Sequence, residues 1–205
     1  LDEVVHALRD LQDRLEANPW YLAGYSLGGN FSMRVALQAE KAGLHIGHVV
    51  AVNPVINPLH AMVSMEEGIR FYERYFERKW SRSLKIKKQA FPDLYGKETW
   101  HEIKGLRERT HYLATRHAGF QSAEEYFEGY SIADGRLAPL AVPSTILTSA
   151  DDPVVPVGDF EDLPDNPNLE LIVTEHGGHC GFLKNWKLES MAEDLIAGRF
   201  LSAAA

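Results

Sequence analysis

The chain has 205 residues, of which 45% are hydrophobic and 24% are charged, so it is long and apolar enough to bury a core. Acidic residues outnumber basic ones by 29 to 21, and the net charge of -8 argues against a nucleic-acid-binding surface. The single cysteine, Cys180, excludes an internal disulfide.

The sequence contains no apolar stretch of about 20 residues, the length that a membrane-spanning helix requires. It also lacks the CxxC pairs of zinc sites and the Gly-rich motifs of nucleotide-binding sites. We therefore predict no transmembrane segment, no metal ion and no cofactor. A lone cysteine is compatible with a reducing compartment, and we predict a cytoplasmic location.

The first elements in the chain are a helix, a strand and a second helix. Apolar residues recur at helical spacing over residues 2–17, and Asn18 and Pro19 end this pattern. The apolar run Trp20–Tyr25 is typical of a strand that is buried on both faces of a parallel sheet. A helix from about Gly29 to Ala42 follows it directly.

Three further strands are predicted later in the chain. They are His48–Val52, Ser144–Ser149 and Leu169–Thr174, and a final helix is predicted from Lys187 to Phe200. Strands that are separated by helices favour right-handed crossovers and a mainly parallel sheet. The predicted class is α/β with flanking helices.

Residues 58–138 interrupt this alternation with mixed aromatic and charged residues and no convincing buried strand. We predict a helical insert that acts as a lid over the carboxyl ends of the strands; simple packing is the alternative. Five aromatic residues recur there at helical spacing, and lining an acyl pocket and packing on a core are both open interpretations. They are Phe71, Tyr72, Tyr75, Phe76 and Trp80.

The segment Gly24–Gly28 (GYSLG) matches the motif G-x-S-x-G between a buried strand and a helix, which is where this motif presents a nucleophilic serine. The strand-to-helix turn strains Ser26, and the start of the helix directs N–H groups toward a developing oxyanion. The alternative is that Ser26 merely caps the helix. A serine needs a base and a carboxylate partner to act as a nucleophile.

Both partners follow at later strand ends. The paired residues Asp151 and Asp152 come after the strand Ser144–Ser149, and the segment 175–179 (EHGGH) comes after Leu169–Thr174. The order Ser, Asp, His is that of α/β-hydrolases. Asp152 is preferred to Asp151 as the acid because it begins the phrase D-x-x-V-P.

His179 is preferred to His176 as the base because it follows two glycines and precedes the last helix. Asp151 is then interpreted as a turn-stabilising residue and His176 as a solvated loop residue. Asn53 and Pro54 follow the second strand, where a turn is the default interpretation and a contribution to the pocket floor is the alternative.

The sequence resembles the YheT-like branch of the α/β-hydrolases, AB hydrolase family 4. Four phrases carry the resemblance, and they are Gly24–Asn30, Gly119–Tyr126, Asp151–Pro153 and His176–Phe182. The resemblance implies the α/β-hydrolase fold and a carboxylesterase or lipid-acyl hydrolase activity. It also implies that Ser26 is the nucleophile, His179 the base and Asp152 the acid, with the Leu27 N–H as one oxyanion donor.

The expected reaction is cleavage of short- to medium-chain acyl esters or lipid esters through an acyl-enzyme. A non-catalytic binding scaffold and an acyltransferase with the same triad are the alternatives. In the family, several strands and a second oxyanion donor precede the nucleophile, whereas 25 residues precede Ser26 here. The resemblance therefore implies a carboxyl-terminal portion of the domain, and we expect upstream residues or another chain to supply the missing strands.

Overall fold

The computed structural model describes residues 1–15, 18–68, 70–100 and 102–204, and the side chains of residues 70–72 are not described. Two compact units are present. The first consists of residues 1–57 and 131–205, and the second is Pro58–Tyr130.

The first unit contains a four-stranded parallel sheet and three helices. The strands are β1 (Trp20–Tyr25), β2 (Ile46–Val52), β3 (Ser144–Ser149) and β4 (Leu169–Thr174), and they lie in the order β1-β2-β3-β4. The helices are α1 (Asp2–Leu15), α2 (Leu27–Ala42) and α8 (Met191–Ala204), and a short 3-10 helix spans Val157–Phe160. The predicted α/β class with a parallel sheet is confirmed.

The starts of three elements differ from the predicted ones, and α8 ends at Ala204 rather than Phe200. Helix α2 begins two residues earlier, at Leu27, because the chain turns directly from Ser26 into the helix. Strand β2 begins at Ile46, and α8 begins at Met191 rather than Lys187. The segment before α8 is instead held by an antiparallel bridge between Leu183 and Ser190. The predicted end of the first helix, at residues 16 and 17, lies outside the described residues.

The core of this unit lies around the two central strands. The side chains of β3 are all buried, and so are those of the last four residues of β2. Val50, Val52 and Leu147 form a cluster with Phe182 and Ala192, against which the apolar side of α8 packs. This packing is what holds the carboxyl ends of β2 and β3 at one edge of the sheet.

The prediction that β1 is buried on both faces of a larger sheet stays a prediction. Within the described residues β1 pairs only with β2, and Gly24 is its one buried residue. Its apolar sequence resembles that of β2, but its position at the side of the described sheet leaves its other side chains half-buried or exposed.

The second unit, Pro58–Tyr130, consists of helices and the loops between them, with no strand among its described residues. It contains α3 (Pro58–Glu67), α4 (Arg70–Ala90), α5 (Pro92–Tyr95), α6 (Leu106–His117) and α7 (Ala123–Glu128). Its core is formed by Met62, Leu106, Ala123 and Phe127. The lid role that the sequence suggests for residues 58–138 stays a prediction.

Two of the insert's predicted aromatic residues have a packing role. Phe76 and Trp80 pack against the core of the second unit, whereas Tyr75 is 48% exposed. The side chains of Phe71 and Tyr72 lie outside the described part of the chain. For Phe76 and Trp80, packing on a core is therefore the interpretation that the contacts favour.

The phrase Gly119–Tyr126 has a structural explanation at the start of α7. The Ser122 hydroxyl accepts a hydrogen bond from the Glu125 N–H at 3.1 Å. The Glu125 carboxylate in turn accepts one from the Gln121 N–H at 2.5 Å. This reciprocal arrangement satisfies N–H groups that the helix start leaves without carbonyl partners.

None of the described helices is long and apolar enough to cross a membrane.

The central position of Leu147 in the core leads to a stability prediction. Leu147 is fully buried, so Leu147→Ala leaves a cavity and should lower the free energy of unfolding by about 2–5 kcal/mol. Leu201→Ala is the matched control, because Leu201 is 74% exposed and its loss should change stability by about 0.5 kcal/mol or less. Urea denaturation measures both, and equal effects of the two variants would contradict this description of the core.

Candidate active site

Ser26 lies at the turn between β1 and α2 in a backbone conformation that residues with side chains rarely adopt. Its φ is 51° and its ψ is -119°. The Ser26 N–H donates to the Val52 carbonyl at 2.8 Å, and its carbonyl accepts the Asn30 N–H at 3.1 Å. These bonds hold a strained turn in place, which is a frequent feature of functional sites.

The sequence left open whether Ser26 only caps α2. The residue does occupy the capping position, but its hydroxyl makes no hydrogen bond to the helix. The hydroxyl oxygen instead lies 3.0 Å from Nε2 of His179. The side chain is thus directed to the imidazole rather than to the helix backbone.

The turn is tight enough to require glycine at one position of the motif. A Cβ atom on Gly24 would lie 2.2 Å from the Gly28 carbonyl oxygen, a distance that no side chain tolerates. A Cβ atom on Gly28 would meet nothing within 4 Å. The close approach of strand and helix therefore explains Gly24, whereas the described residues place no steric demand on Gly28.

His179 lies between Ser26 and Asp152. Its Nδ1 is 2.9 Å from Oδ2 of Asp152 and 3.1 Å from Oδ1. An ionised carboxylate only accepts hydrogen bonds, so Nδ1 carries a proton. When the imidazole is neutral, Nε2 is therefore free to accept a hydrogen bond from the Ser26 hydroxyl. The predicted residues Ser26, His179 and Asp152 thus come together in one hydrogen-bonded series.

The Asp152 side chain is completely buried and fully hydrogen-bonded. Its Oδ1 accepts the N–H groups of Val154 at 2.7 Å and Val155 at 3.1 Å, and its Oδ2 accepts the amide of Asn53. Burial raises the pKa of Asp152, but the bonds from His179, Asn53 and Val154 outweigh it and hold the pKa below its usual value. The site therefore contains a buried carboxylate in its ionised form.

The same contact shifts the pKa of His179 in the opposite direction. Burial lowers the pKa of the imidazole, whereas the hydrogen bonds and charges of Asp152 and the neighbouring Cys180 raise it to about 9. The carboxylate stabilises the imidazolium cation, which is the form of His179 that results when it takes a proton.

Asp151 and His176, the less favoured residues of the two pairs, do not contact Ser26 or the His179 ring in the described hydrogen bonds. Oδ1 of Asp151 accepts the N–H groups of Gly177 at 2.9 Å and Gly178 at 2.7 Å. The bond from Gly178 contributes most to holding the pKa of Asp151 below its usual value. Asp151 thus anchors the loop before His179, while the His176 side chain is 79% exposed and lies 3.5 Å from Asp151.

Leu27 is the first residue of α2, directly after Ser26. The first N–H groups of a helix have no carbonyl partner within the helix, and the positive end of the helix dipole lies there. The backbone N–H of Leu27 lies at this end of α2, and its role as an oxyanion donor stays a prediction.

Within the described part of the chain, no group of three or more His, Cys, Asp or Glu side chains is arranged to hold a metal ion. Cys180 is a free, half-buried thiol whose Sγ lies 3.9 Å from the Val52 carbonyl oxygen.

Two further residues contribute to the site. The sequence left Asn53 open between a turn and the pocket floor, and it suggested no role for Ser149. Asn53 donates to both Asp152 and the Gly178 carbonyl, and the Ser149 hydroxyl donates to the same carbonyl at 3.0 Å. Each lies at the carboxyl end of a buried strand. A polar residue directly after the apolar end of β2 was the signal for Asn53, whereas Ser149 ends a strand that already contains Ser144, Thr145 and Thr148 and therefore gave no such signal.

The tight turn leads to a prediction about the two glycines of the motif. Gly24→Ala should lower the melting temperature by several degrees, because the new methyl group clashes with the Gly28 backbone. Gly28→Ala is the matched control and should melt at or above the wild-type temperature, since Gly28 lies in α2, its Cβ has space and alanine favours helix. Thermal unfolding monitored by circular dichroism measures both melting temperatures. A lower melting temperature for Gly28→Ala than for Gly24→Ala would contradict the described turn.

Comparison with known proteins extends these observations. Residues 1–193 match the Alpha/beta hydrolase family. The chain is 31% identical over 184 residues to YheT of Escherichia coli (strain K12), a protein with an esterase name, in an alignment that covers 86% of this chain and 52% of that protein. It is 27% identical to Monoacylglycerol lipase of Saccharomyces cerevisiae, covering 90% of this chain and 42% of that protein.

Solved structures show the same fold at low sequence identity. An alpha/beta fold family hydrolase from Bacillus anthracis aligns with a TM-score of 0.56 at 16% identity, covering 98% of this chain and 73% of that one. The monoacylglycerol lipase of Paleococcus ferrophilus aligns with a TM-score of 0.51 at 14% identity, covering 98% of this chain and 75% of that one.

The chain spans about half the length of the curated relatives it matches. The family match nevertheless covers most of the chain and includes the serine turn, the paired aspartates and the His179 loop. This chain belongs to the alpha/beta hydrolase family.

Proposed function

We propose that the protein is a serine hydrolase that cleaves carboxylic esters through an acyl-enzyme, with Ser26, His179 and Asp152 as its catalytic residues. The observation that carries the proposal is the hydrogen-bonded series from the Ser26 hydroxyl through the imidazole to the buried carboxylate. A serine hydroxyl in contact with a histidine that a third group orients is the arrangement that nucleophilic catalysis requires.

In the first half of the reaction, Oγ of Ser26 attacks the ester carbonyl carbon while Nε2 of His179 takes the hydroxyl proton. The resulting tetrahedral oxyanion accepts a hydrogen bond from the Leu27 N–H. When it collapses, the bond to the leaving oxygen breaks and His179 donates its proton to the departing alkoxide. The product alcohol leaves, and the acyl group remains on Ser26.

In the second half, His179 takes a proton from water as the water oxygen attacks the acyl carbonyl. Collapse of the second oxyanion breaks the bond to Ser26, and His179 returns the proton to the serine oxygen. The carboxylic acid product is released and the enzyme is restored. Asp152 stays ionised throughout, holds the Nδ1–H tautomer and stabilises the imidazolium.

The proposed substrates are esters with short- to medium-chain acyl groups, or lipid esters. The names of similar proteins support this class, since they include Monoacylglycerol lipase of Saccharomyces cerevisiae and Phospholipase ABHD3 of Homo sapiens. Neither substrate is assigned to this chain by similarity of 27% or 23% alone.

Replacement of the reacting groups should abolish the activity. Ser26→Ala and His179→Ala should each reduce ester hydrolysis by at least roughly 10³-fold, because one loses the nucleophile and the other the base. A fluorophosphonate probe, which labels activated serines, should modify the wild-type chain and not the Ser26→Ala variant. Hydrolysis of p-nitrophenyl esters of graded chain length measures the rate.

Two matched variants serve as controls for this experiment. Ser32→Ala removes a serine of the same helix whose hydroxyl bonds to the Gly28 carbonyl, and His176→Ala removes the exposed histidine of the His179 loop. Both should keep most of the activity. If neither the wild type nor Ser26→Ala were labelled or active, the proposal would be wrong and a non-catalytic hydrolase-fold scaffold would be favoured. If both were labelled and active to the same extent, Ser26 would not be the nucleophile.

The raised pKa of His179 predicts how activity depends on pH. Nε2 accepts a proton only when the imidazole is neutral, so kcat/KM should rise with pH, with an apparent pKa between 6.5 and about 9. Asp152→Asn removes the charge that raises this pKa. The variant should therefore show a lower apparent pKa and a maximal rate that is reduced by roughly 10³- to 10⁴-fold.

The pH profile of kcat/KM for the wild type and Asp152→Asn provides the measurement. Asp151→Asn is the matched control, because Asp151 contacts the Gly177 and Gly178 N–H groups instead of the imidazole. It should leave the apparent pKa within a few tenths of the wild-type value. An Asp152→Asn profile with an unchanged apparent pKa would show that Asp152 does not act on His179.

A further inference from the structure

Asn53 follows β2 and has a buried amide side chain that the turn at this position does not require. It is completely buried, its φ is 43°, and its N–H donates to the Leu147 carbonyl at 2.7 Å. Asparagine tolerates the left-handed region better than most residues, but glycine adopts it at no steric cost. The backbone alone therefore does not explain an amide side chain here.

The Asn53 amide has a defined orientation. Its nitrogen donates to Oδ2 of Asp152 and to the Gly178 carbonyl, the latter at 3.2 Å. Both partners are acceptors only, so the nitrogen rather than the oxygen faces them. The Asn53 amide oxygen is buried and has no hydrogen-bond partner among the described residues. A glycine would form the same turn without burying this oxygen. The two hydrogen bonds that the amide donates are therefore what distinguishes asparagine from glycine at this position.

These two bonds connect the parts of the site that come from different strands. Asp152 follows β3, and Gly178 directly precedes His179 in the loop after β4. One amide at the end of β2 thus holds both the acid and the backbone that carries the base. The segment around Asn53 also reaches the nucleophile, since the Val52 carbonyl accepts the Ser26 N–H at 2.8 Å.

The Asp152 carboxylate depends on such donors. With its side chain fully buried, each of its oxygens must be satisfied within the protein, because an unpaired charge in the interior is costly. Burial raises the pKa of Asp152, and the bonds from His179 and then Asn53 contribute most to lowering it. Without the amide, Oδ2 keeps only its contact with His179.

We propose that Asn53 is a positioning residue of the hydrolase site. Its amide nitrogen binds both the Asp152 carboxylate and the Gly178 carbonyl and so fixes their relative positions. The His179 imidazole is thereby kept aligned between Asp152 and Ser26. The inference rests on the proposed function, because it assigns Asn53 a role through the proposed base and acid. Asn53 acts through these groups and does not touch the reacting atoms.

The test uses Asn53→Gly, which keeps the left-handed backbone and removes only the amide. We expect kcat to fall about 10- to 100-fold with KM within about threefold of wild type, since the loss affects alignment rather than substrate binding. Asp134→Gly is the matched control. Asp134 is an exposed loop residue with φ 54°, and its replacement relaxes a similar backbone and should leave kcat unchanged.

A double-mutant cycle separates positioning from a general loss of stability. If Asn53 acts through Asp152, adding Asn53→Gly to Asp152→Asn should lower kcat less than twofold, because the interaction is already lost. A purely structural residue would instead reduce kcat by the same factor in both backgrounds. That additive outcome would overturn the proposal.

A second readout does not require turnover. The proton between Nδ1 of His179 and Asp152 should give a far-downfield NMR resonance, identified by its loss in His179→Ala. Asn53→Gly should shift this resonance upfield or broaden it, and Asn53→Asp, which keeps the side-chain shape but replaces the donor with an acceptor, should do the same. A resonance unchanged in whichever variant folds would overturn the inference.

The outcomes for the two proposals are distinguishable. If Ser26→Ala and wild type behave identically toward the probe and the esters, the proposed function fails, while the NMR experiment still decides whether Asn53 orients the pair. If the wild type is active and Asn53→Gly matches it in kcat and in the resonance, only the role of Asn53 is refuted.

Discussion

The burial of one ionised carboxylate, that of Asp152, is the constraint on which the rest of this site depends. A charge without contact with water must find every hydrogen-bond partner inside the protein, and Asp152 has four of them. Two are N–H groups of its own turn. The others, Asn53 and His179, come from the ends of different strands, so the carboxylate keeps those strand ends in one arrangement.

The parallel sheet is what makes this convergence possible. All four strands run in the same direction, and therefore their carboxyl ends lie along one edge. Ser26 follows β1, Asn53 follows β2, Asp152 follows β3 and His179 comes in the loop after β4. Each strand thus contributes one group, and the packing of α8 on β2 and β3 stabilises the edge that carries them.

The backbone of the loop that carries His179 is held by hydrogen bonds from several neighbouring residues. Asp151 binds the Gly177 and Gly178 N–H groups, while Ser149 and Asn53 bind the Gly178 carbonyl. Gly178 is thus held at its N–H and at its carbonyl, in the two peptide groups that flank its Cα, and neither group can rotate freely. The paired aspartates therefore have separate tasks, one toward the loop backbone and one toward the imidazole.

Much of this was predictable from sequence. Short runs between helical segments located the four strands. β1, β2 and β4 are largely apolar, as expected of buried parallel strands, whereas β3 (STILTS) is fully buried with four hydroxyl side chains among its six residues. The motif Gly24–Gly28 and the polar residues after β3 and β4 located three of the groups. The family resemblance agrees with the match to the Alpha/beta hydrolase family over residues 1–193.

Other features were beyond the reach of local patterns. The start of α8 and the half-buried state of β1 depend on which segments lie beside them, and not on their own composition. The sequence by itself determined the parallel α/β architecture and the residue types that are able to form a serine-histidine-aspartate site. Only the tertiary structure decided that Asn53 belongs to that site, because its partners Asp152 and Gly178 lie 99 and 125 residues away and meet it only when the strand ends converge.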